Sequence, residues 1–89
     1  MSIRYSIEIT RDALKALGKL DKPIRRRLQS AIDELQHEPR PAGMIALKGQ
    51  TGVYRIRVGD YRVLYTIRDS ELVVLIVDLG HRREIYDQL

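Results

Sequence analysis

Residues 52–68 read G-V-Y-R-I-R-V-G-D-Y-R-V-L-Y-T-I-R, and this alternation leaves the chain few ways to fold. Apolar side chains at every second position describe a strand with one buried face, and here two such runs flank Gly59-Asp60. Gly-Asp is an accepted two-residue hairpin loop, and that turn sets the register. Val58 then faces Tyr61, Arg57 faces Arg62, Ile56 faces Val63 and Arg55 faces Leu64. Tyr54, Ile56, Val58, Tyr61, Val63, Tyr65 and Ile67 share one face, apolar enough to receive helices, and the arginines occupy the other.

The remaining segments are read around this hairpin. Residues 72–77 are uniformly apolar, as expected of a third strand covered on both faces in the interior of a sheet. The connecting Asp69-Ser70 is a less typical hairpin turn. Ile3, Tyr5, Ile7 and Ile9 alternate with polar residues and make a first strand, placed beside the apolar one. Thr10 is positioned to cap a short helix with Ala13, Leu14 and Leu17 on one face, ended by Gly18. Asp21 as cap and Pro23 in the first turn start a second helix whose stripe is Ile24, Leu28, Ala31, Ile32 and Leu35. Glu38-Pro39-Arg40-Pro41 stops it, since proline lacks an amide hydrogen and biases its predecessor away from helical angles. Residues 42–52 have no period and read as a loop anchored by Met44 and Leu47. The expectation is one domain over residues 1–89 with a small two-layer α+β fold, in the order β-α-α-β-β-β(-α). The sheet is mostly antiparallel and two helices pack on one of its faces.

Composition narrows the chemistry. The 89 residues contain no cysteine, which excludes disulfides, thiolate metal sites and thiol catalysis. Two histidines, His37 and His81, do not make a zinc site, and the acidic residues do not cluster as magnesium-dependent phosphoryl chemistry requires. Any phosphate chemistry is therefore expected to be metal-independent, without a cofactor. The first residues lack a signal-peptide core and no apolar run approaches a membrane span, so a cytoplasmic protein with no membrane partner is expected. A net charge of +4, carried largely by arginine, favours a polyanionic partner.

Arg57 opposite Arg62 is the sharpest chemical feature. Like charges directly opposite on a sheet are destabilising, and an anion between them removes the conflict; a phosphate accepts bidentate hydrogen bonds from guanidiniums. The bland alternative is that two long side chains splay into water at little cost. Gly80 offers a place for the chain to leave the apolar strand, after which His81, Arg82, Arg83 and Tyr86 can fold back across the arginines. Tyr86 as a packing anchor and His81 as a hydrogen-bonded turn residue are the plain readings of those two. On the second helix Arg25 and Arg26 fall off the apolar stripe, which makes them either a solvated face or a contact to a phosphate backbone.

V-Y-R-I-R-V-G-D-Y-R-V-L-Y, the apolar strand and G-H-R-R-E-I-Y together resemble the RelE toxins of the RelE/ParE toxin–antitoxin superfamily, in element order and length as well. The resemblance implies the toxin of a type II toxin–antitoxin system. Such a toxin is a ribosome-dependent, metal-independent endoribonuclease that cuts mRNA in the ribosomal A site. Its partners are the ribosome, its rRNA and mRNA, and a cognate antitoxin in a hetero-oligomer. Position by position, the resemblance marks Arg55, Arg57, Arg62, Arg82 and Tyr86 as catalytic. Lys48 is a supporting basic contact, and Arg83, Arg25 and Arg26 are candidates for RNA or ribosome binding. The implied reaction is attack of a ribose 2′-OH on the adjacent phosphodiester. Some relatives carry lysines where this chain has Arg55 and Arg57, and an arginine stays protonated, so the base is either His81 or is replaced by proximity on the ribosome. The alternatives are a ParE-like gyrase-inhibiting toxin and a non-catalytic nucleic-acid-binding module.

Overall fold

The computed structural model describes residues 3–81, and over them the chain runs β1 (Ser6–Ile9), α1 (Arg11–Gly18), α2 (Lys22–Glu34), β2 (Ile45–Ala46), β3 (Val53–Val58), β4 (Tyr61–Arg68) and β5 (Val73–His81). The strands form one sheet in the order β1-β5-β4-β3-β2, with β1 parallel to β5 and all other neighbours antiparallel. The α+β architecture, the hairpin of β3 with β4, and the first strand lying beside the last are as the sequence predicts. The expected C-terminal helix falls on residues 82–89, outside the described residues.

Both helices start where the caps indicate. The Thr10 side chain accepts a hydrogen bond from the Ala13 amide at 3.2 Å, which satisfies one of the donors a helix start leaves open. Asp21 occupies the cap position of α2 but its side chain makes no capping bond, and Pro23 in the first turn carries more of the start signal. The core lies between the helices and one sheet face: Ala13 and Leu17 of α1 and Leu28 and Ile32 of α2 meet Ile56, Val63, Tyr65, Val74, Ile76 and Leu79. Each fully buried aliphatic side chain of this kind contributes about 1.5–3 kcal/mol. Tyr65, also wholly buried, donates its hydroxyl to the Pro39 carbonyl at 2.8 Å and thereby ties the segment after α2 to the sheet. Burial pushes its phenol up to about 12.

Several expectations need correction. Leu14, placed on the buried face of the first helix, is 57% exposed, and Ile3, placed in the first strand, is 63% exposed. The eight-residue helix buries Ala13 and Leu17 and packs Ala16 beside them, and Leu14 instead borders a groove with Ile7, Ile9 and Ile32. The loop after α2 contains β2, which pairs Ile45 with Arg55 and Ala46 with Tyr54. Two exposed residues are too few to show a period. The Asp69-Ser70 turn takes in Glu71 and Leu72 as well, with Leu72 at φ 54° and its amide bonded to the Asp69 carbonyl.

The last strand departs most. Gly80 was expected to release the chain from it, yet β5 continues through Gly80 to His81. A glycine inside a strand is accommodated where a bulky neighbour needs the space, and Gly80 lies directly opposite Arg62. Between the pairs Leu64↔Asp78 and Tyr65↔Ile76 the register shifts, leaving Val77 as an extra residue in a β-bulge. Thr10 holds this spot, with its hydroxyl donating to the Val77 carbonyl at 3.1 Å and its amide to the Ile76 carbonyl at 3.0 Å.

At the opposite end of the sheet an exposed cluster joins three segments. Arg40 meets both carboxylate oxygens of Asp69, at 3.2 and 2.8 Å, and the Tyr5 hydroxyl donates to the same carboxylate at 2.6 Å. The hydrogen bonds from Arg40, then from Tyr5, hold Asp69 down at about 2, and the bond to Asp69 raises Tyr5.

Candidate active site

The alternation of β3 and β4 does what the sequence requires. Arg57 stands directly opposite Arg62, and Arg55 opposite Leu64, on the sheet face turned away from both helices. Of these side chains Arg57 is exposed, Arg55 half-buried and Arg62 only 5% exposed. The burial of Arg62 departs from the alternative in which both arginines splay into water. Burying a guanidinium is costly, and an apolar residue of similar volume is often as stable or more so in such a place. Arg62 sits centrally, with Arg57 on one flank and Gly80 on the other. The Arg57 Nε donates to the Gly59 carbonyl at 3.1 Å, which orients that side chain along the hairpin tip.

The bulge at Val77 decides what else shares this face. Without it, Leu79 would stand opposite Arg62 and Asp78 opposite Val63 in the core. With it, Gly80 and Asp78 join the arginine face, and Leu79 packs in the core. The Asp78 carboxylate accepts from the Leu79 amide at 2.8 Å and so helps fix the turn of the strand just before Gly80. Asp78 was missed in the sequence because an unalternating apolar run carries no sign of a bulge.

His81, the candidate base, is not brought to the arginines. It pairs with Tyr61 in register and rests against that ring, centroids 5.5 Å apart and planes at 82°, and Tyr61 packs against the helix-side core. One strand position away from Gly80, it points to the other face of the sheet. Lys48 is exposed in the turn before β3, at the far end of that strand from Gly59. Arg25 and Arg26 lie on α2, on the opposite side of the sheet from Arg62. Arg82, Arg83 and Tyr86 fall outside the described residues. Arg27, which belongs to the same basic run of Lys22, Arg25, Arg26 and Arg27 on α2, reaches the hairpin: its guanidinium would lie 3.4 Å from a Cβ built on Gly59. That proximity is a tertiary contact with no local sequence signal.

Chemically, the described part of the site is a concentrated positive face with one buried and two more accessible guanidiniums, and with space beside the buried one supplied by a glycine. Such a face binds phosphate oxygens and stabilises additional negative charge on them.

Comparison with known proteins bears on which phosphate. The family described as "ParE toxin of type II toxin-antitoxin system, parDE" matches residues 7–86. Toxin RelG of Mycobacterium tuberculosis is 32% identical over 83 residues, spanning 92% of this chain and 95% of that protein. The mRNA interferase toxin RelE of Escherichia coli K12 is 28% identical over 88 residues, spanning 94% of this chain and 92% of that one. Among solved structures, the archaeal RelE-RelB complex from Pyrococcus horikoshii OT3 is similar at a TM-score of 0.78 and 36% identity, covering 89% of this chain and 96% of its counterpart.

Proposed function

The chain belongs to the ParE toxin family of type II toxin–antitoxin systems, and from that premise we propose that it is an endoribonuclease toxin that inhibits translation by cutting mRNA. The observation that carries the reading is the buried Arg62 flanked by Arg57 and Gly80 on the sheet face opposite α1 and α2. A toxin acting through protein contacts alone has no evident use for a guanidinium buried there, whereas a phosphoryl transfer does. The similarity to the E. coli relative, an mRNA interferase, supports it.

The reaction fitting these residues is attack of a ribose 2′-OH on its own 3′ phosphodiester, which forms a 2′,3′-cyclic phosphate and frees a 5′-OH. Negative charge grows on the non-bridging oxygens as the new bond forms, and a fixed guanidinium shielded from water stabilises that charge most effectively. Arg62 has this role, joined by Arg82 in the proposal. Arg57 and Arg55 hold the phosphate in place, and Tyr86 orients a nucleotide. His81 faces Tyr61, so a base on the ribosome or simple positioning of the 2′-OH accounts for deprotonation better than this imidazole does. The ribosome supplies the aligned mRNA strand, and the toxin acts in the cytoplasm. A cognate antitoxin neutralises it in a hetero-oligomer, in line with the RelE-RelB assembly of the archaeal relative.

The family description favours a second reading, a ParE-like toxin that inhibits gyrase. One experiment separates the two. With programmed ribosomes the purified protein is expected to cut mRNA at A-site codons and to spare free RNA. Intact mRNA together with blocked gyrase supercoiling would transfer the chain to the second reading.

A further inference from the structure

The tip of the β3–β4 hairpin holds two cations where a stable turn needs none. Gly59 has φ +61°, a left-handed conformation that any side chain would strain. Space is short there too: a Cβ at this position would stand 3.4 Å from Arg27 Nη2 and 3.6 Å from Nη1. Arg27 therefore lays its guanidinium against the turn from the α2 side. From the arginine face, Arg57 Nε bonds to the carbonyl of the same glycine at 3.1 Å. Two guanidiniums thus converge on one residue from the two sides of the sheet.

Neither is neutralised by a carboxylate of the described residues. Among the described residues the ion pairs are Arg40–Asp69 and Arg68–Glu71. Asp60 borders the same hollow of about 220 Å³ as Arg27, Gly59 and Tyr61, yet makes no ion pair with Arg27. Like charges held together repel, and a polyanion passing over the tip removes the repulsion.

We propose that Arg27 and Arg57 form a second phosphate position at the hairpin tip, holding an RNA backbone phosphate next to the one bound at Arg62. The proposal rests on the ribonuclease reading and gives it a direction: the RNA strand leaves the arginine face over Gly59 toward the amino-terminal end of α2. Arg27 makes no contact with the reacting atoms in this arrangement. It adds affinity and register, and Gly59 keeps the strand's path clear.

The test compares Arg27→Gln, which keeps the length of the side chain and loses its charge, with Arg27→Lys, which keeps the charge. Binding is measured as a function of salt on ribosomes without mRNA and, separately, on a short single-stranded oligoribonucleotide. For Arg27→Gln the slope of log affinity against log salt is expected to shrink by about 0.7–0.9, the value for one lost phosphate contact, and Arg27→Lys is expected to keep it. KM for mRNA cleavage should rise about three- to tenfold in Arg27→Gln with kcat held, the size of one exposed charge-assisted contact. Asp60→Asn should tighten binding. A smaller slope on ribosomes identifies the phosphate as ribosomal and one on the oligonucleotide as that of the message. If Arg27→Gln matches wild type in slope and KM in both arms, the proposal falls, because packing of the Arg27 stem alone would then explain its position. Should wild type cut no mRNA, the cleavage reading fails by itself, and the oligonucleotide slope still decides the tip site.

Discussion

The two faces of the sheet are made by the same strands, one residue apart, and they have been given opposite work. On the helix face Val63, Tyr65, Val74 and Ile76 are wholly buried among aliphatic side chains from α1 and α2. On the arginine face Arg62 and Leu64 stand opposite Gly80 and Asp78, and burial of Arg62 there encloses a charge. Apolar burial lowers the free energy of the fold, whereas burial of a guanidinium raises it. In β4 the buried Arg62 directly precedes the buried Val63, so stability and activity should be separable by substitutions that are adjacent in sequence.

The largest effects test that separation directly. Arg62→Met is expected to lower the rate of mRNA cleavage about 100- to 1000-fold, as for loss of one preorganised charge-stabilising donor, while the thermal midpoint stays level or rises. Ile76→Ala should do the reverse, costing about 2–5 kcal/mol of stability while the folded fraction cuts at the normal rate. Calorimetry and single-turnover cleavage on the same two variants decide the matter. If both lose the same property, the division of labour between the faces is wrong. Tyr65→Phe comes next, because it leaves the buried Pro39 carbonyl without its donor and should cost about 1–3 kcal/mol with cleavage intact.

Thr10→Val asks whether the faces are coupled. It removes the cap of α1 and the bond to the bulge together, and should cost about 0.5–2 kcal/mol. A disproportionate fall in cleavage, restored by Thr10→Ser, would show that the helix face sets the geometry of the arginine face. The smallest effect is electrostatic. Asp69 lies at about 2 instead of 3.8, so its carboxylate stabilises the fold above pH ~4 and that contribution is lost as the pH falls toward 2. Asp69→Asn should flatten this part of the acid limb in a pH series of thermal midpoints and leave the neutral range little changed, since the cluster is exposed.

Much of this division was visible in the sequence. A two-residue turn between alternating runs gave Arg57↔Arg62 and every inward side chain of the hairpin, because register follows from turn length. Helix boundaries followed from Thr10, Pro23 and the Pro39–Pro41 stop. What escaped depended on contacts distant in sequence or on counts too small to carry a period. β2 has two residues. Arg62 is buried although an arginine flanked by tyrosine and valine gives no hint of depth. Gly80 looked like an exit because glycine is a common breaker, yet it serves as the space opposite Arg62. His81 was placed with the arginines because the chain was expected to leave the strand at Gly80 and fold back, yet it stays in β5 opposite Tyr61.

That extra residue has a genetic consequence. A strand in a two-faced sheet is read two residues at a time, so it has a frame, and Val77 is a one-residue insertion in the frame of β5. Deleting its codon would remove the bulge yet keep Asp78 opposite Leu64, Leu79 opposite Val63 and Gly80 opposite Arg62, whereas deleting the codon of Leu79 would set Gly80 against Val63 and His81 against Arg62. A codon added or removed in the turn 48–52, which belongs to no such frame, changes only the length of a surface loop. Deletion of Leu79 should therefore inactivate the protein, deletion of Val77 should keep the pairing, single-residue deletions before β3 should be absorbed, and length variation among functioning relatives is expected to collect in that loop.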